Sequence, residues 1–142
     1  MVGERSVGGL IAHNAGIVNA SSATVEVYAT MEVKDYAFTG TGGLVGVNSY
    51  IIQNSYAAGD VSGTQYVGGL VGWNDAGRIT PMEGTIRQSY STADVAGESF
   101  VGGLVGYNIF LSFRSPELLS SFATGKISGE DLTGGRIVGS DL

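Results

Sequence analysis

Apolar and polar positions along this chain never settle into a helical rhythm: no window carries apolar residues at a 3.6-residue period over three turns. Apolar residues instead gather in stretches of about 5–8 residues, rich in β-branched and aromatic side chains and separated by glycine, which predicts short strands. Helical repeats would need Ala/Leu/Glu/Lys-rich segments and would not hold two glycines and two β-branched residues in each unit.

The strands recur. One motif reads Val7-Gly-Gly-Leu-Ile-Ala-His-Asn14, Thr41-Gly-Gly-Leu-Val-Gly-Val-Asn48, Val67-Gly-Gly-Leu-Val-Gly-Trp-Asn74 and Val101-Gly-Gly-Leu-Val-Gly-Tyr-Asn108. A degraded copy spans 133–139, beginning Thr133-Gly134-Gly135, with Arg136 in the place of the leucine. A second motif follows as Tyr28-Ala-Thr-Met-Glu-Val33, Tyr56-Ala-Ala-Gly-Asp-Val61, Tyr90-Ser-Thr-Ala-Asp-Val95 and Phe122-Ala-Thr-Gly-Lys-Ile127. From its aromatic residue to the next double glycine the intervals are 14, 12, 12 and 12 residues; from the motif asparagine to the aromatic they are 14, 8, 16 and 14. A constant half and a variable half, with a period of 26–34 residues, predict an all-β, parallel β-solenoid of about four to five coils forming one repeat domain over 1–142. Coils would lie about 4.8 Å apart, so equivalent residues would meet in columns.

Four columns are expected: Leu10, Leu44, Leu70 and Leu104 in the core; Val33, Val61, Val95 and Ile127 beside them; Asn14, Asn48, Asn74 and Asn108 at a corner; and stacked Tyr28, Tyr56, Tyr90 and Phe122. Asparagine suits a corner because it tolerates the left-handed region and can bond its own turn. Adjacent Leu and Val in Gly-Gly-Leu-Val-Gly leave open which of the two faces inward. The longer segments 15–27, 75–89 and 109–121 are expected on one side, the last folding back through Ile109, Phe110, Leu111, Phe113, Leu118 and Leu119.

Composition narrows the function. Of 142 residues 24 are glycine and two are proline, without a three-residue glycine period, so neither collagen nor a Pro/Gly linker fits. Seven basic against 13 acidic residues give a net charge of −6, which argues against nucleic acid as a partner. Without cysteine there are no disulfides or thiolate metal sites, and no apolar run is long enough to insert in a bilayer. The N-terminus carries no signal-peptide pattern; Met1 ahead of a motif under way at Val7 reads as an expression start on a fragment of a longer chain.

The motif Val-Gly-Gly-Leu-Val-Gly-x-Asn, paired with Asn54-Ser55-Tyr56-Ala-Ala-Gly-Asp-Val-Ser-Gly63, resembles the GLUG repeat of bacterial surface proteins, among them filamentous-haemagglutinin-like adhesins and immunoglobulin A-cleaving metallopeptidases. The resemblance covers nearly the whole chain. It is closest over 41–108, weaker over 7–33, where Ala12 replaces a glycine, and poor after 128. It implies an extracellular or cell-surface location and a spacer or adhesion role, and no active site, since the catalytic zinc motif of those peptidases lies outside the repeats.

Candidate chemistry is sparse. His13 is the only histidine and occupies the slot of Val47, Trp73 and Tyr107, so it reads as a variable surface residue. No nucleophile elbow, phosphate loop or His-Glu-x-x-His pattern occurs, and the calcium nonapeptide repeat fails because asparagine stands where its aspartate belongs. Glu32, Asp60 and Asp94 would stack as an acidic column ended by Lys126, either as a solvated face or as a weak Ca²⁺ site. Trp73 and Tyr107, if exposed, would be the ligand surface for a glycan or a host or matrix protein. No other cofactor is expected. The expected function is a non-catalytic structural or adhesive segment; the alternative is a carbohydrate- or protein-binding module, with a glycan-processing β-helix enzyme behind both. Uncapped ends predict end-to-end self-association.

Overall fold

A computed structural model describes residues 2–3, 5–30, 39–75, 83–109, 116–129 and 137–141. The described residues contain strands and no helix. Five parallel sheets run along the molecule, each built from one short strand per coil. Sheet I holds Val7–Gly8, Thr41–Gly42, Gln65–Gly68 and Ser99–Gly102; sheet II holds Ile11–Asn14, Val45–Asn48, Val71–Asn74, Val105–Asn108 and Val138–Asp141. Sheet III holds Ile17–Asn19, Ile51–Gln53, Thr85–Arg87 and Glu117–Leu119. Sheet IV holds Ser22–Thr24, Tyr56–Ala58, Tyr90–Ser91 and Phe122–Ala123. Sheet V holds Val27–Ala29, Asp60–Ser62, Asp94–Gly97 and Ile127–Gly129, with Val2–Gly3 as its fifth strand. The chain visits the sheets in the order I to V and then starts the next coil, so this is a β-solenoid. Three complete turns separate Gly8, Gly42, Gly68 and Gly102, slightly fewer than the four to five coils expected, and partial turns at each end supply the fifth strands.

The open question about Leu and Val has a geometric answer: both face inward in the inner coils, whereas Leu10, expected in the same core column, is exposed because it lies in the end rung. Leu44, Leu70 and Leu104 are fully buried, and so are Val45, Val71 and Val105, all in one core with Ile52, Ala57 and Ile86. Strand alternation fails because the chain bends between sheets I and II, at Gly43-Leu44 and its equivalents. At the bend, the N–H groups of Leu44 and Val45 both donate to the carbonyl of Leu70, each at 3.0 Å. Past it, sheets I and II lie almost backbone to backbone. A methyl group on Gly68 would sit 1.9 Å from the Val71 carbonyl oxygen and 2.6 Å from the Gly106 nitrogen, so no side chain fits there. A second core of Val7, Val27, Val61, Val67, Val95 and Val101 lies between sheets I and V.

Three expectations about register are corrected. Tyr28 does not join the aromatic column: Ser22 pairs with Tyr56, whereas Tyr28 pairs with Val2 and Ser62 in sheet V. The first copy of the second motif is therefore Ser22 to Val27, which puts Val27 rather than Val33 beside Val61. Its interval from Asn14 is eight residues, as from Asn48 to Tyr56, so 15–27 is no insertion. The surplus falls between Ser22 and Gly42, where 31–38, including Glu32 and Val33, lie outside the described residues. The cause is Ser21: its equivalents Ser55, Ser89 and Ser121 all precede the motif and carry hydrogen bonds between coils, a place Val27 could not fill ahead of Tyr28. Finally, Ile137 and not Arg136 continues the leucine column, accepting at its carbonyl the N–H groups of Leu104 and Val105 at 3.0 and 2.8 Å. Residues 110–115 and 130–136, with Phe110, Leu111, Phe113 and the start of the degraded copy, lie outside the described residues.

Candidate functional site: inter-coil columns and an exposed aromatic stack

The motif asparagines form a continuous buried column. Asn14 Nδ2 donates to Asn48 Oδ1 at 2.8 Å, Asn48 to Asn74 at 2.8 Å, and Asn74 to Asn108 at 2.9 Å. The second N–H of the two middle amides turns to its own corner, Asn48 reaching the Tyr50 carbonyl and Asn74 the Gly84 carbonyl, both at 2.9 Å, whereas that of Asn14 crosses to the Ile51 carbonyl of the next coil at 3.3 Å. An amide suits this place because it carries both donors and acceptors, so one residue type serves every rung. Asn108 pairs in register with Asp141, which continues the position into the last strand.

A serine column runs along the corner between sheets III and IV. The N–H groups of Ser21, Ser55 and Ser89 donate to the hydroxyls of Ser55, Ser89 and Ser121, at 3.2, 3.2 and 3.3 Å. Each hydroxyl in turn donates to the carbonyl two residues back. The residue before each serine is left-handed: Ala20, Asn54, Gln88 and Ser120 all have φ of 49–50°. The recurring serine ahead of Ser22, Tyr56, Tyr90 and Phe122 was the sequence signal for this column.

Trp73 is 4% exposed, so it presents no stacking face to solvent, contrary to its reading as an exposed ligand surface. It packs with Val47, Tyr107 and Ile109 against Tyr66. Its ring meets those of Tyr66 and Tyr107 edge-on, centroids 5.0 Å apart in each case, and Tyr66 stacks on Phe100 at 5.1 Å. Tyr107 is half-buried in the same cluster. Tyr66 and Phe100 adopt φ of 54° and 53°, a left-handed conformation costly for bulky residues and held by this packing. Its sequence cue is size matching: Tyr66 and Phe100 occur in the coils where the motif slot holds Trp73 and Tyr107.

The acidic column is assembled differently from the expectation. Asp60 pairs with Asp94, and Val27 pairs with Val61, which puts Glu26 rather than Glu32 in line with them. Asp94 Oδ1 accepts the Lys126 backbone N–H at 2.8 Å, and Asp60 and Asp94 are both exposed. No group of three acidic or histidine residues spaced for a metal ion occurs among the described residues. His13 is exposed and shares a 2.9 Å hydrogen bond with Ser49.

On the outside of sheet IV, Tyr56, Tyr90 and Phe122 stack face to face. Ring centroids are 5.1 and 5.2 Å apart, with interplanar angles of 6° in both pairs. Across the corner, Gln53 and Asn54 both donate to Asn19 Oδ1, at 3.1 and 3.0 Å, and Gln53 Oε1 accepts from Arg87.

Parallel stacked coils, internal columns and a recurring glycine motif define a β-solenoid repeat module. The GLUG motif family matches residues 63–96, the stretch from sheet I of the third coil through its return in sheet V. No curated protein and no solved structure gives a significant match to the chain.

Proposed function

We propose that this chain is a non-catalytic structural segment of an extracellular protein, a rigid spacer that holds adhesive or catalytic parts away from a cell surface. The observation that carries this is where the recurring residues are used. The leucines, valines, asparagines and serines that define each coil are consumed in contacts with the coils above and below. What repeats is the means of stacking, so the property the repeat supplies is length at fixed cross-section. Addition of a coil tests it. Duplicating residues 42–67, one 26-residue repeat, is expected to lengthen the particle by about 4.8 Å in small-angle scattering and to raise its unfolding midpoint. A shortened, expanded or less stable product refutes the spacer reading. Protease treatment of intact source cells tests the location: peptides of this chain should be released without lysis.

A further inference from the structure

The column in sheet IV is incomplete. Tyr90 has a ring on each side, but among the described residues Tyr56 has one only below it, at 5.1 Å; on its other side the register places Ser22. A hydroxymethyl group is too short to cover a phenol ring, and Tyr56 is 36% exposed. The result is a step about one strand spacing deep, roughly 4.8 Å. An aromatic face forms its floor and Ser22 its back. Around it stand Ser22 and Thr24, both exposed on the strand above, and Asn19 across the corner. The Asn19 Oδ1 is taken by Gln53 and Asn54, while its Nδ2 and the two hydroxyls have no hydrogen-bond partner among the described residues. No charged residue is among these four.

We propose that this step is a stacking subsite for a neutral pyranose ring with equatorial hydroxyls, as in a β-1,4-linked glucan. The apolar C–H face of such a ring would lie on Tyr56, in the place a fourth aromatic rung would occupy. Its rim of hydroxyls would meet Ser22, Thr24 and Asn19. An uncharged apolar floor ringed by unspent donors and acceptors matches that chemistry; a partner's aromatic side chain would use the floor and leave the donors idle. The inference goes beyond the spacer reading and moves the glycan surface from Trp73 to Tyr56. Loss of this subsite leaves the coil-addition test untouched, so the two fail separately.

The test is a saturation-transfer NMR titration of the whole chain with cellotetraose, with N-acetyltyrosinamide as a second probe. Binding is expected with a Kd on the order of 1 mM, the range for a single stacked ring, with saturation strongest on sugar C–H protons. Tyr56→Ala should weaken it by about tenfold or more, equivalent to about 1.4 kcal/mol. Ser22→Tyr, which covers the Tyr56 face and fills the step, leaving at the sheet's edge a ring with no strand above it to supply hydroxyls, should weaken it as much while leaving the circular dichroism spectrum unchanged. Phe122→Ala, at the far end of the stack, should leave it unaltered. Cellotetraose binding by Ser22→Tyr as by the native chain overturns the proposal. So does the absence of any response to cellotetraose at about 20 mM, some 20 times the expected Kd. A response to N-acetyltyrosinamide alone also overturns it and points to a protein partner. Ser22→Tyr keeps the test decisive should Tyr56→Ala fail to fold.

Discussion

Removal of one rung of the asparagine column, Asn74→Ala, deletes three hydrogen bonds: from Asn48 Nδ2, to Asn108 Oδ1 and to the Gly84 carbonyl. All four residues are buried, with Asn48 and Asn74 at 0% exposure. Three polar groups would then face a methyl-lined gap, and a buried unsatisfied group costs about 1–3 kcal/mol. Allowing for partial repair by trapped water, the expected loss is about 3–5 kcal/mol, a large part of a typical folding free energy of about 5–15 kcal/mol. Gln53→Ala provides the contrast, because Gln53 bridges Asn19 and Arg87 on the solvent side and its loss is expected to cost under about 1 kcal/mol. Urea unfolding followed by circular dichroism and by the fluorescence of Trp73 reads both. Asn74→Asp adds a pH signature. A carboxylate there would face two acceptors, Asn108 Oδ1 and the Gly84 carbonyl, and burial would push its pKa above the unfolded value. The protonated acid can still donate one bond, so the variant's stability is fullest below the unfolded pKa and falls as pH rises through the folded one. Equal costs for Asn74→Ala and Gln53→Ala, or an Asn74→Asp variant indifferent to pH, would refute the reasoning that this column is a principal tie between coils.

Three further predictions follow from the packing. Leu70→Ala should cost about 3–4 kcal/mol in urea unfolding, whereas Leu10→Ala, in an end rung that is 49% exposed, should cost under about 1 kcal/mol. Thr41 replaces valine in the column of Val7, Val67 and Val101, and its buried hydroxyl has no partner among the described residues, so Thr41→Val should stabilise the protein by about 1 kcal/mol. Asp60→Asn removes one charge from the column with Asp94 and should raise the melting midpoint in low salt, an effect that vanishes near 1 M salt, where the screening length is about 3 Å.

Much of the fold was legible because two periodic signals constrained each other. Glycine pairs and leucines fixed the spacing of three coils, and Leu44, Leu70 and Leu104 stack where that spacing put them. The first coil was misread because Tyr28-Ala-Thr imitates the start of Tyr56-Ala-Ala, while its true counterpart, Ser22-Ala23-Thr24, has no aromatic residue. Side-chain size misled where hydrogen bonding decided: the constant feature was Ser21, Ser55, Ser89 and Ser121, whose hydroxyls tie coil to coil. Trp73 was a candidate ligand surface if exposed, because its slot also holds His13 and Val47 and so reads as variable. A slot can vary and still be interior when its neighbour varies with it, and Tyr66 fills the space beside Trp73. The inward turn of both Leu44 and Val45 was illegible to strand alternation, since the bend suspends that rule.

Among the described residues each coil makes most of its contacts with the one before it and the one after it, close to a nearest-neighbour chain in one dimension. Such a molecule melts as a zipper, not as a drop: opening begins at the half-exposed Leu10 rung or at the opposite end and travels inward. Amide hydrogen exchange should therefore be slowest around Leu44, Leu70 and Leu104 and quicken toward both termini. Every added rung would then lengthen the lifetime of the middle.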